Sequence, residues 1–232
     1  MPENTPEIKA ERVTETLTVY QQKGVFSFGT DAMLLADYVS EQTAAASAKK
    51  LCDLCSGTGI LSLVLCDRFP NLTADVVEIN PDAARLSEKS AAESGLAARF
   101  TAHTADIKQI RTLFASESFD FVVCNPPYMR ADSGKHCDHP MINLARHEIA
   151  CSVYDAFAAA FYLLRTGGLA YFVYRTDRLS SLMDAAKKNR FEIKDMRFFA
   201  LRPQSDAMDL VVCKAKKEAA EGMKVSFSRL GT

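Results

Sequence analysis

Asn125-Pro126-Pro127-Tyr128 is the tetrapeptide of this chain whose residue types most constrain a chemistry. Two prolines stiffen the backbone and carry no N–H, so the Asn125 side chain and the Pro126 carbonyl can both accept hydrogen bonds from a ligand, while Tyr128 offers a flat ring for stacking. A second group, Asp53-Leu-Cys55-Ser-Gly57-Thr-Gly59, contains glycines that let a backbone approach a bound molecule closely. Ser62 stands where a dinucleotide-binding fingerprint has its third glycine, which counts against a nicotinamide. An aspartate four residues before Gly57 repels a pyrophosphate and suits a cationic or amino-bearing ligand. Glu78, 19 residues past Gly59, can accept both hydroxyls of a ribose, in NAD or in an adenosyl group lacking a 2′-phosphate. Asp106 can accept the exocyclic amine of an adenine, with Ile107 as an apolar wall. Singly, each acid reads equally well as a strand-end or capping residue; three at successive strand ends are harder to dismiss.

These residues need elements that bring them together. Lys50 to Cys55 reads as a strand, the glycine turn follows, and Ile60 to Phe69 has helical spacing. Ala74 to Ile79 is a second strand and Pro81 to Ser94 a helix, with Asn80 as N-cap, Pro81 at its first position and Gly95 as the stop. The alternation continues with a strand at Arg99 to His103, a helix at Ile107 to Phe114, a strand at Phe119 to Cys124 and a helix at Val153 to Leu164. A strand at Leu169 to Tyr174 and a helix at Arg178 to Asn189 come next. The pattern predicts an α/β fold, a mostly parallel sheet with helices on both faces. Ile193 to Leu201 and Met208 to Cys213 are expected to form an antiparallel hairpin at the sheet edge. Ahead of the sheet, Leu17 to Gln21 and Val25 to Phe28 could pair around Lys23-Gly24, and Asp31 to Val39 reads as a helix capped by Thr30 or Asp31. Three segments follow: a 1–49 extension of hairpin and helix packed on the sheet domain, the 50–217 α/β domain itself, and a 218–232 tail or added edge strand.

Composition narrows the function classes. The 232 residues carry 28 Lys+Arg against 29 Asp+Glu, net −1, with 48% hydrophobic residues, which fits a cored globule and excludes a supercharged coat protein. Residues 1–128 are net −6 and residues 129–232 net +5, so the second half can present a basic face to a polyanion. No apolar run approaches the roughly 20 residues that span a bilayer, and Met1 to Arg12 lack the features of a secretory signal, so a cytoplasmic location is expected. Seven scattered cysteines read as reduced, buried thiols. The Cys52-x-x-Cys55 spacing fits half a zinc site or a redox motif, but no second pair answers it, so no metal is expected.

With these motifs in place, residues 13 to 217 resemble the class I S-adenosylmethionine-dependent methyltransferases, specifically those that methylate planar nitrogens through Asn-Pro-Pro-Tyr. Gly24 to Ala36, Asn125 to Tyr128 and Ala145-Arg-His-Glu148 resemble most the bacterial tRNA1(Val) (adenine(37)-N6)-methyltransferase family. The resemblance implies the Rossmann-like sheet of that class and S-adenosyl-L-methionine as cofactor, leaving as S-adenosyl-L-homocysteine. The cofactor residues it implies are Thr30, Asp31, Asp53, Cys55, Gly57, Gly59, Glu78, Ile79, Asp106, Ile107 and Asn125. Asn125, Pro126, Pro127 and Tyr128 would hold the methyl acceptor. An adenine N6 in RNA, near the tRNA anticodon, is the implied target. It would be splayed out of its stack against Tyr128. Phosphate contacts would come from Arg130, Lys135, Arg146, Arg175, Arg202, Lys214, Lys216 and Lys217.

Three rivals share much of this pattern. Protein-glutamine methyltransferases have the same acceptor motif but resemble one another in an extra N-terminal helical domain, for which about 50 residues are too few. Ribosomal RNA guanine-N2 methyltransferases usually resemble a duplicated two-domain architecture, whereas a single sheet is expected here. A non-catalytic adenosyl-binding sensor would have little reason to keep Asn125 to Tyr128 together with Asp53 and Glu78.

Overall fold

Eight of the ten described strands form one sheet, in the order β10-β8-β9-β7-β6-β3-β4-β5. They are β3 (Lys50–Leu54), β4 (Thr73–Glu78), β5 (Phe100–Thr104), β6 (Phe119–Cys124), β7 (Leu164–Arg175), β8 (Phe191–Ala200), β9 (Leu210–Lys217) and β10 (Lys224–Arg229). In this computed structural model the described residues are 7–22, 29–127, 151–202, 204 and 206–229. Val25 to Phe28, Tyr128 and the Met129 to His147 loop, with Arg130, Lys135 and Arg146, lie outside them.

Every neighbouring pair in the sheet is parallel except those made by β9, which runs antiparallel to both β7 and β8. The expected β8–β9 hairpin therefore exists, but it is not the edge. β9 is buried between β7 and β8, and β10 pairs outside β8. The run Leu210-Val-Val-Cys213 is buried throughout, as a strand covered on both faces requires.

Residues alternate across the sheet because the strand period is two. Leu51, Val76, Phe121, Val123, Tyr171 and Val173 face one core, and Cys52, Leu54, Val77, Val122, Cys124 and Phe172 the other. The first core is capped by α1 (Thr30–Ser40), the short α2 (Thr43–Ser47) and α3 (Ile60–Arg68). The second is capped by α5 (Ile110–Leu113), α6 (Val153–Leu163) and α7 (Leu179–Lys188). α4 (Pro81–Glu93) follows β4. Asn80 caps it as the sequence predicts, accepting from the N–H groups of Asp82 and Ala83 at 2.9 and 3.4 Å, with Pro81 entering at the first turn. At α6, Ser152 and Asp155 exchange hydrogen bonds in a capping box.

The N-terminal segment differs from the expectation in two ways. β2 (Thr18–Gln22) pairs antiparallel with β1 (Ile8–Arg12), an upstream partner that the sequence did not suggest, while the expected partner Val25 to Phe28 lies outside the described residues. This hairpin leans on α4, where the Ser90 and Ser94 hydroxyls accept the N–H groups of Tyr20 and Thr18 at 2.9 and 3.1 Å. At α1 the capping position falls on Gly29, without a side-chain cap; Asp31 instead accepts the N–H of Ala32 at 2.9 Å.

Candidate active site

The strand order reverses direction between β3 and β6: the chain proceeds from β3 outward through β4 and β5, then returns to build β6 and β7 on the other side. At such a switch point the connections diverge above and below the sheet and leave a crevice at the carboxyl ends of the strands. The register fixes what lines it. Leu54 pairs with Val77 and with Cys124, so the next residue of each strand, Cys55, Glu78 and Asn125, stands at one level on three adjacent chains, about 4.8 Å apart per strand. Glu78 pairs with Thr104, which puts Asp106 just past the same edge. Three of the sequence-selected groups thus meet because the strands end together.

A solvent-open cleft occupies this position, lined by Ala32, Asp53, the Cys55 to Thr58 turn, Ile60, Leu61 and Asn125. Its floor is held by backbone and carboxylate together. Glu78 accepts the N–H of Gly57 at 2.8 Å with one oxygen and that of Asn80 at 2.9 Å with the other. Burial pushes the Glu78 carboxyl up, and the N–H groups of Asn80, Gly57 and Ile79 pull it back. Asp53 is 1% exposed and accepts the Ser62 hydroxyl at 2.8 Å. Burial pushes its carboxyl up to about 7, the Ser62 hydroxyl opposes this, and the neighbouring Glu78 charge adds to it. Two acids crowded in this way favour a positively charged group between them and the solvent.

The two glycines play different parts. Gly57 has φ +56, and nothing lies within 4 Å of where a Cβ would stand, so the space above it is open to a ligand. Gly59 has φ +76 and lies under packing instead: a Cβ there would meet Ser87 Cβ at 2.8 Å and Phe100 Cζ at 2.9 Å. Gly59 thus serves the close approach of the turn to α4 and β5.

Two cleft residues that sequence reasoning did not select point to a ligand. The side-chain oxygens of Ser56 and Thr58 are buried and have no hydrogen-bond partner among the described residues. An unpaired buried hydroxyl costs about 1–3 kcal/mol, so its presence in a cleft asks for a bound polar group. Their signal in the sequence was only their place within the glycine turn. Together with the open space at Gly57, the acids, and Ile79, an apolar side chain left 38% exposed beside Glu78, this donor and acceptor set fits an adenosyl amino acid.

The other expected residues sort as follows. Asp106 is half-buried and caps the turn of residues 107–109 by accepting the Lys108 N–H at 2.9 Å, and Ile107 is buried in the second core. Thr30 and Asp31 open α1, whose Ala32 reaches the cleft. Asn125 follows β6 directly and lines the cleft, with the buried Pro126 and the half-buried Pro127 next along the chain. Cys52 is buried in β3 while Cys55 belongs to the turn, and among the described residues no group of His, Cys, Asp and Glu is arranged to hold a metal.

The basic residues divide by register. β7 ends at Arg175, on the same edge as Asn125, and Arg202 follows β8 on that edge too. Arg175 is exposed and holds Asp177 at 3.2 Å; Arg202 is 77% exposed, 3.9 Å from Asp209. β9 runs the other way: Leu210 pairs with Arg175 but Lys216 with Leu169, so Lys216 lies about 20 Å down the sheet from the cleft edge. Lys214 donates to Gln42 at 2.9 Å. Lys217 is 4% exposed, its ammonium donating to the carbonyls of Phe161 and Leu164 at 2.9 and 2.6 Å over the Phe161 ring. The expected cluster of Lys214, Lys216 and Lys217 is therefore not one surface, and Lys217 is a core residue whose ammonium is held by two carbonyls that α6 and the start of β7 leave open and by the Glu117 carboxylate at 3.7 Å.

Comparison with known proteins fits this geometry. The family model described as the methyltransferase small domain matches residues 16–152. A tRNA1(Val) (adenine(37)-N6)-methyltransferase of Porphyromonas gingivalis is 31% identical over 156 residues, 66% of this chain and 60% of that one, so the chain spans about three-fifths of its length. The enzyme of the same name from Phocaeicola vulgatus is 30% identical over 190 residues, 82% of this chain and 76% of that one. Among solved structures, a predicted O-methyltransferase from Agrobacterium tumefaciens superposes with TM-score 0.67 at 20% identity, covering 87% of this chain and 89% of that chain. A Thermus thermophilus 16S rRNA N2 G1207 methyltransferase in complex with AdoMet and guanosine gives 0.62 at 19% identity, over 91% of this chain and 50% of that chain. At these identities the structural matches establish the Rossmann-like α/β fold.

Proposed function

The chain belongs to the methyltransferase small domain family, and from that premise we propose that it transfers a methyl group from S-adenosyl-L-methionine to the exocyclic N6 amine of an adenine in tRNA, near the anticodon. The observation that carries the proposal is the register that sets the acid-lined turn of Asp53 to Gly59, Glu78, and Asn125-Pro126-Pro127 side by side at the switch point. The relatives named for that reaction in P. gingivalis and P. vulgatus support the choice of adenine N6.

In this reading Glu78 accepts the ribose hydroxyls, Ile79 lies against the adenine, and Asp53 with the Ser56 and Thr58 hydroxyls receives the amino-acid end. The bound cofactor supplies an electrophilic methyl on a sulfonium. The protein's task is the acceptor. The lone pair of an exocyclic amine is delocalised into its ring, so the nitrogen is a poor nucleophile. Accepting its two N–H bonds at the Asn125 side chain and the Pro126 carbonyl localises that pair and aims it for in-line displacement. Positioning of this kind can supply on the order of 7–11 kcal/mol at best. No strong base is required, because the amine becomes acidic once alkylated. Arg175 and Arg202, on the sheet edge where β6 ends and both on the β7 side of Asn125, are placed to meet phosphates that flank the target on that side.

The test is methyl transfer from labelled S-adenosyl-L-methionine to bulk tRNA from a strain lacking this protein, with nucleoside analysis. N6-methyladenosine is the expected product. Label in ribosomal RNA or in a protein fraction would discard the tRNA target, and tight cofactor binding with no transfer to any acceptor would favour an adenosyl-binding sensor.

A further inference from the structure

Cys55 stands in the cofactor turn at φ 60, a left-handed conformation that glycine adopts freely and residues with a Cβ rarely adopt. Cys55 is one of the residues that line the cleft. The thiol donates to Sγ of Cys151 at 3.4 Å, and the Cys151 thiol donates to the Ser152 carbonyl oxygen at 3.4 Å. Cys151 is 6% exposed and comes immediately before the Ser152 cap of α6, so the contact joins the turn on β3 to a helix 96 residues further along. Cys124, at the end of β6, also approaches Cys55. The reaction described above uses none of these sulfurs, and among the described residues no metal-holding arrangement includes them.

We propose that Cys55 and Cys151 form a reversible disulfide when exposed to peroxide, and that this bond and the adenosyl cofactor exclude one another. The inference rests on the cofactor reading of the cleft. In the first step a Cys55 thiolate attacks one oxygen of hydrogen peroxide; the O–O bond breaks, hydroxide leaves and takes up the thiol proton as water, and Cys55 becomes a sulfenic acid. Cys151 sulfur then attacks Cys55 sulfur, the S–O bond breaks, and a second water departs with the Cys151 proton. Two thiols lose two electrons and two protons, and one peroxide becomes two waters. The neighbouring Cys124 thiol, with burial, pushes Cys55 above the ordinary thiol range against the opposing contact with Cys151, and the contact with Cys55, with burial, pushes Cys151 up, so the reaction is slow at neutral pH and quickens as pH rises.

To bond, the sulfurs must close from 3.4 Å to about 2.05 Å. That draws the cleft wall toward α6 and shifts the turn whose Gly57 N–H is held by Glu78. A displacement of about 1 Å in a positioned site is costly. The expected effect is an affinity for S-adenosyl-L-homocysteine at least tenfold weaker in the oxidised protein. By reciprocity, saturating S-adenosyl-L-homocysteine then raises the potential of the pair by at least about 30 mV, the equivalent of tenfold for two electrons.

The experiment treats the full chain with hydrogen peroxide, maps disulfides by non-reducing peptide analysis, and measures S-adenosyl-L-homocysteine binding by calorimetry before oxidation, after it, and after dithiothreitol. A Cys55–Cys151 peptide is expected, with binding lost and then restored. Cys151→Ser should bind like the reduced wild type and keep its affinity through peroxide. A redox titration of the wild type with and without S-adenosyl-L-homocysteine provides the second measurement. Linkage of Cys55 to any other cysteine, no linkage, or a Cys55–Cys151 bond with unchanged affinity would overturn the proposal. Failure of the reduced protein to bind S-adenosyl-L-homocysteine would refute the cofactor reading and the exclusion with it, while the peptide map would still decide the bond.

Discussion

Asp53→Asn should make the protein more stable and less able to bind its cofactor, and the two effects should carry different pH signatures. Burial raises the Asp53 carboxyl to about 7, against about 3.9 for an aspartate in an unfolded chain. Because the folded value is the higher, the unfolded state ionises first as pH rises, and stability is lost progressively from about pH 4 until the folded group also ionises near 7. At about 1.36 kcal/mol per unit, the ionised buried carboxylate costs roughly 4 kcal/mol above pH 7, of which about 1.5 kcal/mol has already been lost at pH 5. An asparagine does not ionise, and its side-chain carbonyl can still accept from Ser62. Some of the gain is offset by the amide N–H₂, which needs acceptors of its own. That offset does not depend on pH, so it cancels when the variant is compared with the wild type at two pH values.

The measurable quantity is therefore the stability gap in urea between the Asp53→Asn variant and the wild type, which should widen by about 2.5 kcal/mol between pH 5 and pH 8 in favour of the variant. Calorimetry supplies the other half. An ammonium-bearing ligand binds best to the ionised carboxylate, so wild-type affinity for S-adenosyl-L-homocysteine should fall as pH drops below 7, while the variant binds weakly at both values with no such dependence. A gap of equal size at pH 5 and pH 8 would show that Asp53 does not titrate between them, and the assignment of its burial as the dominant cause would be wrong.

Asn125→Ala should abolish methyl transfer while leaving S-adenosyl-L-homocysteine affinity within a few-fold, since its side chain is assigned to the acceptor; equal loss of both in paired transfer and calorimetric assays would reassign it to the cofactor. Gly59→Ala should destabilise by about 3 kcal/mol in urea, because its new Cβ meets Ser87 and Phe100 inside 3 Å at a positive φ. Gly57→Ala should cost only about 1–2 kcal/mol, the conformational penalty alone, yet weaken cofactor binding. Replacing Arg175 and Arg202 together should reduce the salt slope of tRNA binding by about 1.5, whereas Lys216→Ala, on the far end of β9, should leave it unchanged. A slope that follows Lys216 instead would place the RNA on the other edge of the sheet.

What the sequence disclosed, and what it withheld, follows from how far each feature reaches along the chain. The β3 turn, the Asn80–Pro81 helix start and the Asn125 to Pro127 segment were legible because their conformations are set by residues within a few positions. Glu78 was legible as well, since its strand and glycine turn form one β-turn-α-β unit. The Ser56 and Thr58 hydroxyls were not, because nothing local distinguishes a hydroxyl that is satisfied by a turn from one left waiting in a cleft. β1 escaped notice for a related reason: Ile8 to Arg12 is exposed along its whole length, so it carries no apolar alternation, and only pairing with β2 makes it a strand.

The basic half of the chain illustrates the limit most clearly. Charge asymmetry correctly signals that cations outnumber acids after residue 128, but it treats Arg175, Arg202, Lys214, Lys216 and Lys217 as one reservoir. Which of them can reach a polyanion depends on the direction of β9, and that is decided by pairing with β7 across more than 30 residues of intervening chain. Because β9 is antiparallel, every residue further along it moves away from the edge at which β7 and β8 deliver their arginines. The strand period then separates its lysines again, turning Lys216 to solvent and Lys217 inward to the α6 carbonyls. The proposed acceptor role rests on four consecutive residues, whereas the proposed footprint rests on the sheet order, and it is on that edge, from Asn125 past Arg175 to Arg202, that contacts with RNA flanking a target should be sought.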